Sequence, residues 1–120
     1  MDRKGLAPVE TFTHAKLEIF IPETFVPPLL DALAEVGVGM IGHYDHCASL
    51  TRVRGQWRPL PGADPFDGQV GVLQTADEIK VEMNCARERI PAALDAIRRV
   101  HPYEQPVINV IPLANHLFSG

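Results

Sequence analysis

Four residues carry side chains that proteins use to bind soft divalent metal ions. His46 and Cys47 are adjacent, and His101 and Glu104 lie within the sequence HPYE. Imidazole and thiolate donors suit zinc or copper. Neighbouring residues of a β-strand point to opposite faces, so His46 and Cys47 can bind one ion only across a β-bulge or between two subunits. The alternative is that Cys47 lies beside Cys85 in the core and that both thiols are structural.

The HPYE sequence also predicts a ligand-binding corner. It follows a predicted helix, and the C-terminus of a helix favours a protonated imidazole at His101. Tyr103 can both pack and form hydrogen bonds. We therefore expect a polar corner at which His101 is a metal ligand or a titrating switch and Tyr103 contacts a ligand. The alternative is a helix-to-strand turn in which Glu104 pairs with a neighbour.

A long polar segment follows the second predicted strand. Its sequence is GQWRPLPGADPFDGQVG at 55–71, with Trp57 and Phe66 embedded in it. Loops of this length in a compact domain are often functional. Trp57 is suited to anchor a partner, and Arg58 is suited to bind an anion. The alternative, which we favour, is that the two aromatic residues clasp the loop to a neighbouring subunit.

The sequence GVGMIG at 37–42 has the glycine spacing of a dinucleotide-binding loop. Such a loop must follow a strand and open a helix, because the N-terminus of the helix binds the pyrophosphate. Here the glycines follow a predicted helix and precede a predicted strand, so Gly37 is expected to end the helix instead. Gly42 remains a candidate ligand contact, in a tight turn where the backbone approaches a neighbour closely.

The elements that must position these residues follow from the spacing of the apolar side chains. We predict a strand at 14–21, a helix at 26–36, a strand at 43–53, a strand at 78–85, a helix at 90–100 and a strand at 107–111. This β-α-β-β-α-β order predicts an α+β fold of the ferredoxin-like kind. Such a fold has a four-stranded antiparallel sheet with two helices on one face, here with the long loop between the second and third strands.

Three further expectations concern the packing of this sheet. The second and third strands are expected to form its central hairpin. Phe20, Ile108 and Val110 are expected on the face without helices, and a bare apolar face is costly, so we expect the chain to self-associate. Glu78 alternates with basic residues along its strand and is expected on a solvated surface.

The composition indicates one soluble domain over residues 1–120, with residues 1–12 as a loose leader. The formal charge of −4 argues against nucleic acid and anionic membranes as partners, since both bind basic surfaces. No apolar run is long enough to span a bilayer and no signal sequence is evident, which favours the cytoplasm. No nucleophile elbow, phosphate-binding loop or zinc-binding helix motif is present, so an enzyme is not favoured.

Four motifs in a fixed order give the chain a resemblance to a known family. They are GVGMIGHYDHCAS, GQWRPLPGADPFDGQVG, DEIKVE and HPYE. Together they resemble the YqfO-type domain that is inserted into many bacterial members of the dinuclear-metal hexameric family related to yeast Ngg1-interacting factor. The match runs from about His14 to Leu113, and the chain resembles a stand-alone copy of that domain. Family members more often have Asn where this chain has His43, so we assign no role to His43.

The resemblance implies a fold shared with CutA and the PII signalling proteins, which assemble as trimers. It also implies that the long loop contacts partners and closes over ligands. The dinuclear metal site belongs to the host domain, which this sequence lacks, so a GTP cyclohydrolase-like activity of that host is not implied for this chain.

Three hypotheses for the function follow. The first is a non-enzymatic, homotrimeric binding or regulatory module that holds a metal ion or a small anion at the clefts between subunits. Its candidate metal ligands are His46, Cys47, His101 and Glu104, and its candidate ligand-binding residues are Trp57, Arg58, Gly42 and Tyr103. The second is a structural or protein-interaction module without a ligand. The third is a metal-dependent hydrolase or an accessory to one.

Overall fold

The computed structural model describes residues 11–118 and has the predicted order of elements. The strands are β1 (His14–Ile21), β2 (Ser49–Trp57), β3 (Gln74–Ala86) and β4 (Ile108–Pro112), and the helices are α1 (Val26–Glu35) and α2 (Ile90–Val100). The chain therefore has the βαββαβ topology of an α+β, ferredoxin-like fold, as predicted. Most of the predicted leader, residues 1–10, lies outside the described residues.

Neighbouring strands of the sheet are antiparallel, in the order β2-β3-β1-β4. The central strands are β3 and β1, and the β2–β3 hairpin occupies one edge. The prediction that this hairpin is central is wrong. The connection through α1 leaves a gap between β1 and β2, and β3 fills that gap. The register pairs Ser49 of β2 with Glu82 of β3, and Ile19 of β1 with Val81 of β3.

The helices cover one face of the sheet and form the core with it. The alternation predicted for β1 is confirmed, because its core-facing residues are fully buried, namely Ala15, Leu17, Ile19 and Ile21. The helices add the buried residues Val26, Leu29, Leu33, Ala93, Ala96 and Ile97. Burying a large aliphatic side chain contributes about 1.5–3 kcal/mol, so this face supplies most of the driving force for folding.

The opposite face of the sheet, here called the open face, is more polar than predicted. On it, Lys16 forms an ion pair with Glu82 at 3.3 Å, and the side-chain amide of Asn109 donates a hydrogen bond to Glu18 at 3.0 Å. Phe20 also lies on this face, as predicted, because it alternates with the buried residues of β1. Cross-strand polar pairs of this kind allow part of the face to remain in contact with water.

The face assigned to two residues of β4 is wrong. Ile108 pairs with Ile19, and Val110 pairs with Leu17. Because paired residues point to the same side of a sheet, Ile108 and Val110 lie on the helix side. The register of a strand is fixed by its partner, and a shift of one residue moves every side chain to the other face.

The boundaries of β2 and of the long loop differ from the prediction. β2 begins at Ser49 and runs through Trp57, so the loop occupies residues 58–73. Residues 36–48 form turns instead of the start of a strand, because the backbone adopts left-handed conformations at Gly39, Gly42 and His46. Gly37 ends α1 as predicted, with a φ angle of 80°. In the described range, neither helix is long and apolar enough to cross a membrane.

Candidate functional site

A cleft lies on the open face, beneath the long loop. It has a volume of about 570 Å³, which is within the range of small-molecule sites. We call it the Trp57 cleft, and its principal lining residues are Phe20, Trp57, Arg58, Phe66, Glu78, Tyr103 and Glu104. Two edges meet here, the end of β2 with the long loop and the segment between α2 and β4.

Trp57 holds the long loop against its own chain. Its indole Nε1–H donates a hydrogen bond to the carbonyl oxygen of Asp67 at 3.1 Å. The centroid of its ring lies 5.9 Å from that of Tyr103. The ring centroid of Phe66 lies 6.0 Å from that of Tyr103 and 6.1 Å from that of Phe25. Trp57 and Phe66 thus contact their own chain, and the clasp onto a neighbouring subunit stays a prediction.

Tyr103 is at the centre of the cleft. Burial, followed by a hydrogen bond from its hydroxyl group to Glu78, raises the pKa of Tyr103 far above its ordinary value. The phenol therefore stays protonated and acts as a hydrogen-bond donor. The structure brings Tyr103 together with Trp57 and Arg58 in one cleft, so three of the four predicted ligand-binding residues lie together.

His101 is buried, with 7% of its surface exposed, and both of its ring nitrogens are engaged. Nε2 lies 2.6 Å from the carbonyl oxygen of Phe20, which can only accept, so Nε2 carries the proton. Nδ1 then accepts the backbone N–H of Tyr103 at 3.2 Å. Burial lowers the pKa of His101, so the expected protonated imidazole is wrong. His101 positions Tyr103 and has no lone pair left for a metal ion.

Glu78 is the cleft residue that sequence reasoning missed. It was expected on a solvated surface, yet only 7% of it is exposed. The carboxylate extends over Gly55 of β2, where any Cβ atom would collide with Oε1 of Glu78. Glycine within a strand often marks such a close approach, so Gly55 was the available signal.

The predicted metal ligand Glu104 and the fourth predicted ligand-binding residue, Gly42, lie in different places. Arg58 and Glu104 line the Trp57 cleft, and Oε1 of Glu104 accepts the backbone N–H of Asp64 at 2.9 Å. Gly42 does not line this cleft. It lies in the turns between α1 and β2, with a φ angle of 58° and open space where a side chain would be.

His46 and Cys47 lie in the turns between α1 and β2, not on a strand. Nε2 of His46 is 3.1 Å from Asp31 of α1, and Nδ1 is 3.0 Å from Asp45. Hydrogen bonds to Asp45 and then Asp31 raise the pKa of His46. The Cys47 thiol donates to the carbonyl oxygen of Asp45 at 3.7 Å. This cluster fastens the turns to α1.

The four predicted metal ligands fall at two separate places in one chain. The turn with Cys47 is joined through Gly39 to Asn84 of β3, whereas His101 is bonded to Phe20, which pairs with Lys80. Asn84 and Lys80 are four residues apart along β3, so the two places are about 13 Å apart. Among residues 11–118, no three His, Cys, Asp or Glu side chains are grouped so that they could hold a metal ion. One chain therefore does not fit the predicted zinc or copper ion.

The two cysteines have different environments and form no disulfide. Cys85 is buried on the helix side of β3, as expected for a structural thiol, and burial raises its pKa. Cys47 is only half-buried and lies outside the sheet, so the prediction that it is a buried core residue is wrong.

Comparison with curated proteins identifies relatives of this chain. No family model matches it. The chain is 34% identical over 114 residues to the protein named GTP cyclohydrolase 1 type 2 homolog from Halalkalibacterium halodurans, covering 95% of this chain and 31% of that protein. The chain thus spans about a third of the length of this curated relative.

Solved structures show the same relationship. A Bacillus cereus protein described as related to NIF3 matches with a TM-score of 0.75 and 28% identity, over 87% of this chain and 26% of that one. The periplasmic divalent cation tolerance protein CutA from Archaeoglobus fulgidus matches with a TM-score of 0.62 and 17% identity, over 84% of both chains. The resemblance predicted from the four motifs is therefore confirmed: the chain is a relative of one segment of the NIF3-related GTP cyclohydrolase 1 type 2 homologs, and it has the fold of CutA.

Proposed function

We propose that the protein is a non-enzymatic binding module of the CutA and PII kind, which assembles as a trimer and holds a small ligand in the Trp57 cleft. The observation that carries this proposal is the cleft itself. Two aromatic residues hold the long loop over the open face, and a buried carboxylate and a phenol converge beneath it. An apolar pocket with a few convergent polar groups is the usual form of a small-molecule site.

The proposal for a trimer has two supports. The CutA-like fold implies it by resemblance, and the described surface exposes apolar side chains that a monomer would leave in water. Among the most exposed are Leu60, Leu73, Leu117 and Phe118. Burying such side chains between subunits is favourable. We also propose that the protein acts in the cytoplasm, where free thiols such as Cys47 stay reduced.

The two other hypotheses receive less support. A module without a ligand does not explain why β2 has a glycine where a side chain would displace the Glu78 carboxylate. A metal-dependent hydrolase needs a set of metal donors, and one chain offers none within residues 11–118. A zinc or copper ion remains a proposal only for a site shared between subunits, to which each chain would contribute His46 or Cys47.

Native mass spectrometry tests the assembly and the ligand together. The protein should be purified without a histidine tag or a chelator. We expect a trimer, with extra mass when ligand is retained, and elemental analysis of the same sample detects zinc or copper. A monomer at micromolar concentration would refute the proposed assembly. A metal at one ion per subunit, lost in both His46→Ala and Cys47→Ala, would establish the shared site.

Trp57→Ala separates the two interpretations of the long loop. Because Trp57 contacts its own chain, we expect the substitution to leave the oligomer mass unchanged. Loss of the indole hydrogen bond to Asp67 should instead free the loop, so that thermolysin cleaves residues 58–73 faster than in the wild type. A lower oligomer mass without faster cleavage would instead support the interpretation that the loop clasps a neighbouring subunit.

A further inference from the structure

The Glu78 carboxylate is buried in the Trp57 cleft without a basic partner. It receives a hydrogen bond from the Tyr103 hydroxyl group. Among the described residues, every ion pair involves other carboxylates, and none joins Glu78 to a lysine or arginine. A buried carboxylate without a cation is unfavourable, because desolvation is not compensated by charge pairing. A cationic ligand would supply the missing partner.

The architecture of β2 maintains this carboxylate in the cleft. Gly55 lies within the strand, where glycine is destabilising relative to other residues. A side chain at this position would collide with Oε1 of Glu78. The carboxylate therefore occupies a space that the strand leaves free for it, next to the aromatic residues of the cleft.

The walls of the cleft suit an organic cation better than a metal ion. Trp57 and Phe66 lie 5.9 Å and 6.0 Å from Tyr103, and both pairs are inclined at 45°. The rings are not stacked face to face, so they border the cleft from several sides. Aromatic faces attract ammonium groups, and proteins use this attraction to bind quaternary ammonium ligands.

The charged side chains that line the cleft also favour a cation. The cleft includes three carboxylates, those of Asp67, Glu78 and Glu104, and one basic side chain, that of Arg58. This excess of negative charge disfavours the small anion that Arg58 suggested from the sequence. It also attracts a positively charged molecule to the mouth of the cleft.

We propose that the Trp57 cleft binds a small organic cation, an alkylated or quaternary ammonium group that pairs with Glu78 and lies against Trp57, Phe66 and Tyr103. This inference rests on the proposed function in one respect, that the Trp57 cleft is the ligand site. It adds the chemical class of the ligand, which neither the assembly nor the fold determines.

Tryptophan fluorescence tests the inference directly, because Trp57 is the one tryptophan of the chain. Choline chloride is the probe, and 3,3-dimethylbutan-1-ol is its neutral isostere. Sodium chloride at equal concentration controls for ionic strength. We expect a saturable change with choline and binding of the neutral isostere that is weaker by about tenfold or more, because the isostere lacks the charge that attracts Glu78 and the aromatic rings.

Two substitutions assign the effect to Glu78. Glu78→Gln keeps the shape of the side chain and removes its charge, and it should weaken choline binding by about tenfold because the ammonium group loses its charge partner. Asp77→Asn removes one negative charge from the next residue, which is exposed on the helix side of β3, and should leave the affinity unchanged. Equal weakening by both substitutions would mean that net charge attracts choline to the surface, and it would overturn the inference.

Failure of this inference is distinguishable from failure of the proposed function. A fluorescence change with sodium phosphate but not with choline would overturn the organic cation and keep the cleft as a ligand site. Equal binding of choline and its neutral isostere would do the same. If none of the three probes binds, the organic cation is refuted, and native mass spectrometry decides separately whether a trimer with another ligand exists.

Discussion

Replacing Tyr103 with phenylalanine removes one hydroxyl group and leaves the aromatic ring of the cleft in place. The hydroxyl donates to the buried Glu78 carboxylate, so the substitution leaves that carboxylate without this donor. Hydrogen bonds to charged groups contribute about 1.5–3 kcal/mol. Because Tyr103 is itself only half-buried, we take the lower end and expect Tyr103→Phe to reduce the free energy of unfolding by about 1.5 kcal/mol.

Urea denaturation at neutral pH and fixed protein concentration measures this change, since assembly makes the stability depend on concentration. In a thermal scan, the same loss should lower Tm by about 6 °C for a chain of this size. Tyr44→Phe is the matched control, because Tyr44 is 74% exposed and a surface substitution of this kind changes stability by less than about 0.5 kcal/mol.

A double-mutant cycle with Glu78→Gln assigns the loss to the pair. If the hydroxyl group and the carboxylate interact as described, the effects of Tyr103→Phe and Glu78→Gln should not add, and the coupling should be about 1 kcal/mol. The reasoning is refuted if Tyr103→Phe is no more destabilising than Tyr44→Phe, or if the two cleft substitutions are additive.

The remaining predictions concern histidines and glycines. Because burial lowers the pKa of His101, the unfolded chain binds its proton more readily, and the free energy of unfolding should fall as the pH drops below about 6.5. His101→Gln should flatten this part of a urea-denaturation pH profile, and an unchanged profile would contradict the assignment. His46 has a raised pKa, so its stabilisation is complete below about 6.5 and is lost as the pH rises through the raised value. His46→Asn should remove this loss of stability at higher pH and leave the rest of the pH profile unchanged. Gly42→Ala should cost about 1 kcal/mol for its left-handed backbone, and Gly39→Ala should cost more because its Cβ would also collide with Met83; equal losses on urea denaturation would show that Met83 moves aside freely.

Alternation and helical spacing were sufficient to predict the topology. β1 shows why, since each of its core-facing residues is apolar and fully buried, and the polar residues between them lie on the open face. The pattern did not predict strand order, because periodicity records which way a side chain points and not which strand lies beside it. The same limit explains the errors for Ile108 and Val110, which depend on the register of β4 with β1.

The start of β2 was mispredicted for a local reason. The residues HYDHC before it are polar with interspersed apolar side chains, which is typical of a strand at the edge of a sheet. The backbone conformation overrides this pattern, because His46 adopts a left-handed φ angle of 56°, which ends strand geometry. Its ring is also held by Asp31 and Asp45. Asp31 comes from α1, fifteen residues earlier, so the sequence near His46 gives no sign of this contact.

The candidate site was predicted in part, and the part that failed shows why residue type alone is a weak guide to metal binding. Trp57, Arg58, Tyr103 and Glu104 do line one cleft, because the ends of β2 and of α2 meet at the same end of the sheet. Histidine and cysteine bind metals only through free lone pairs that converge on one point. Here His101 donates one ring proton to a carbonyl oxygen and accepts a backbone N–H with its remaining lone pair. The ring nitrogens of His101 instead fix the backbone around Tyr103, and the buried carboxylate without a basic partner is that of Glu78. A search for ligands of this protein should therefore begin with molecules that match a carboxylate surrounded by aromatic rings.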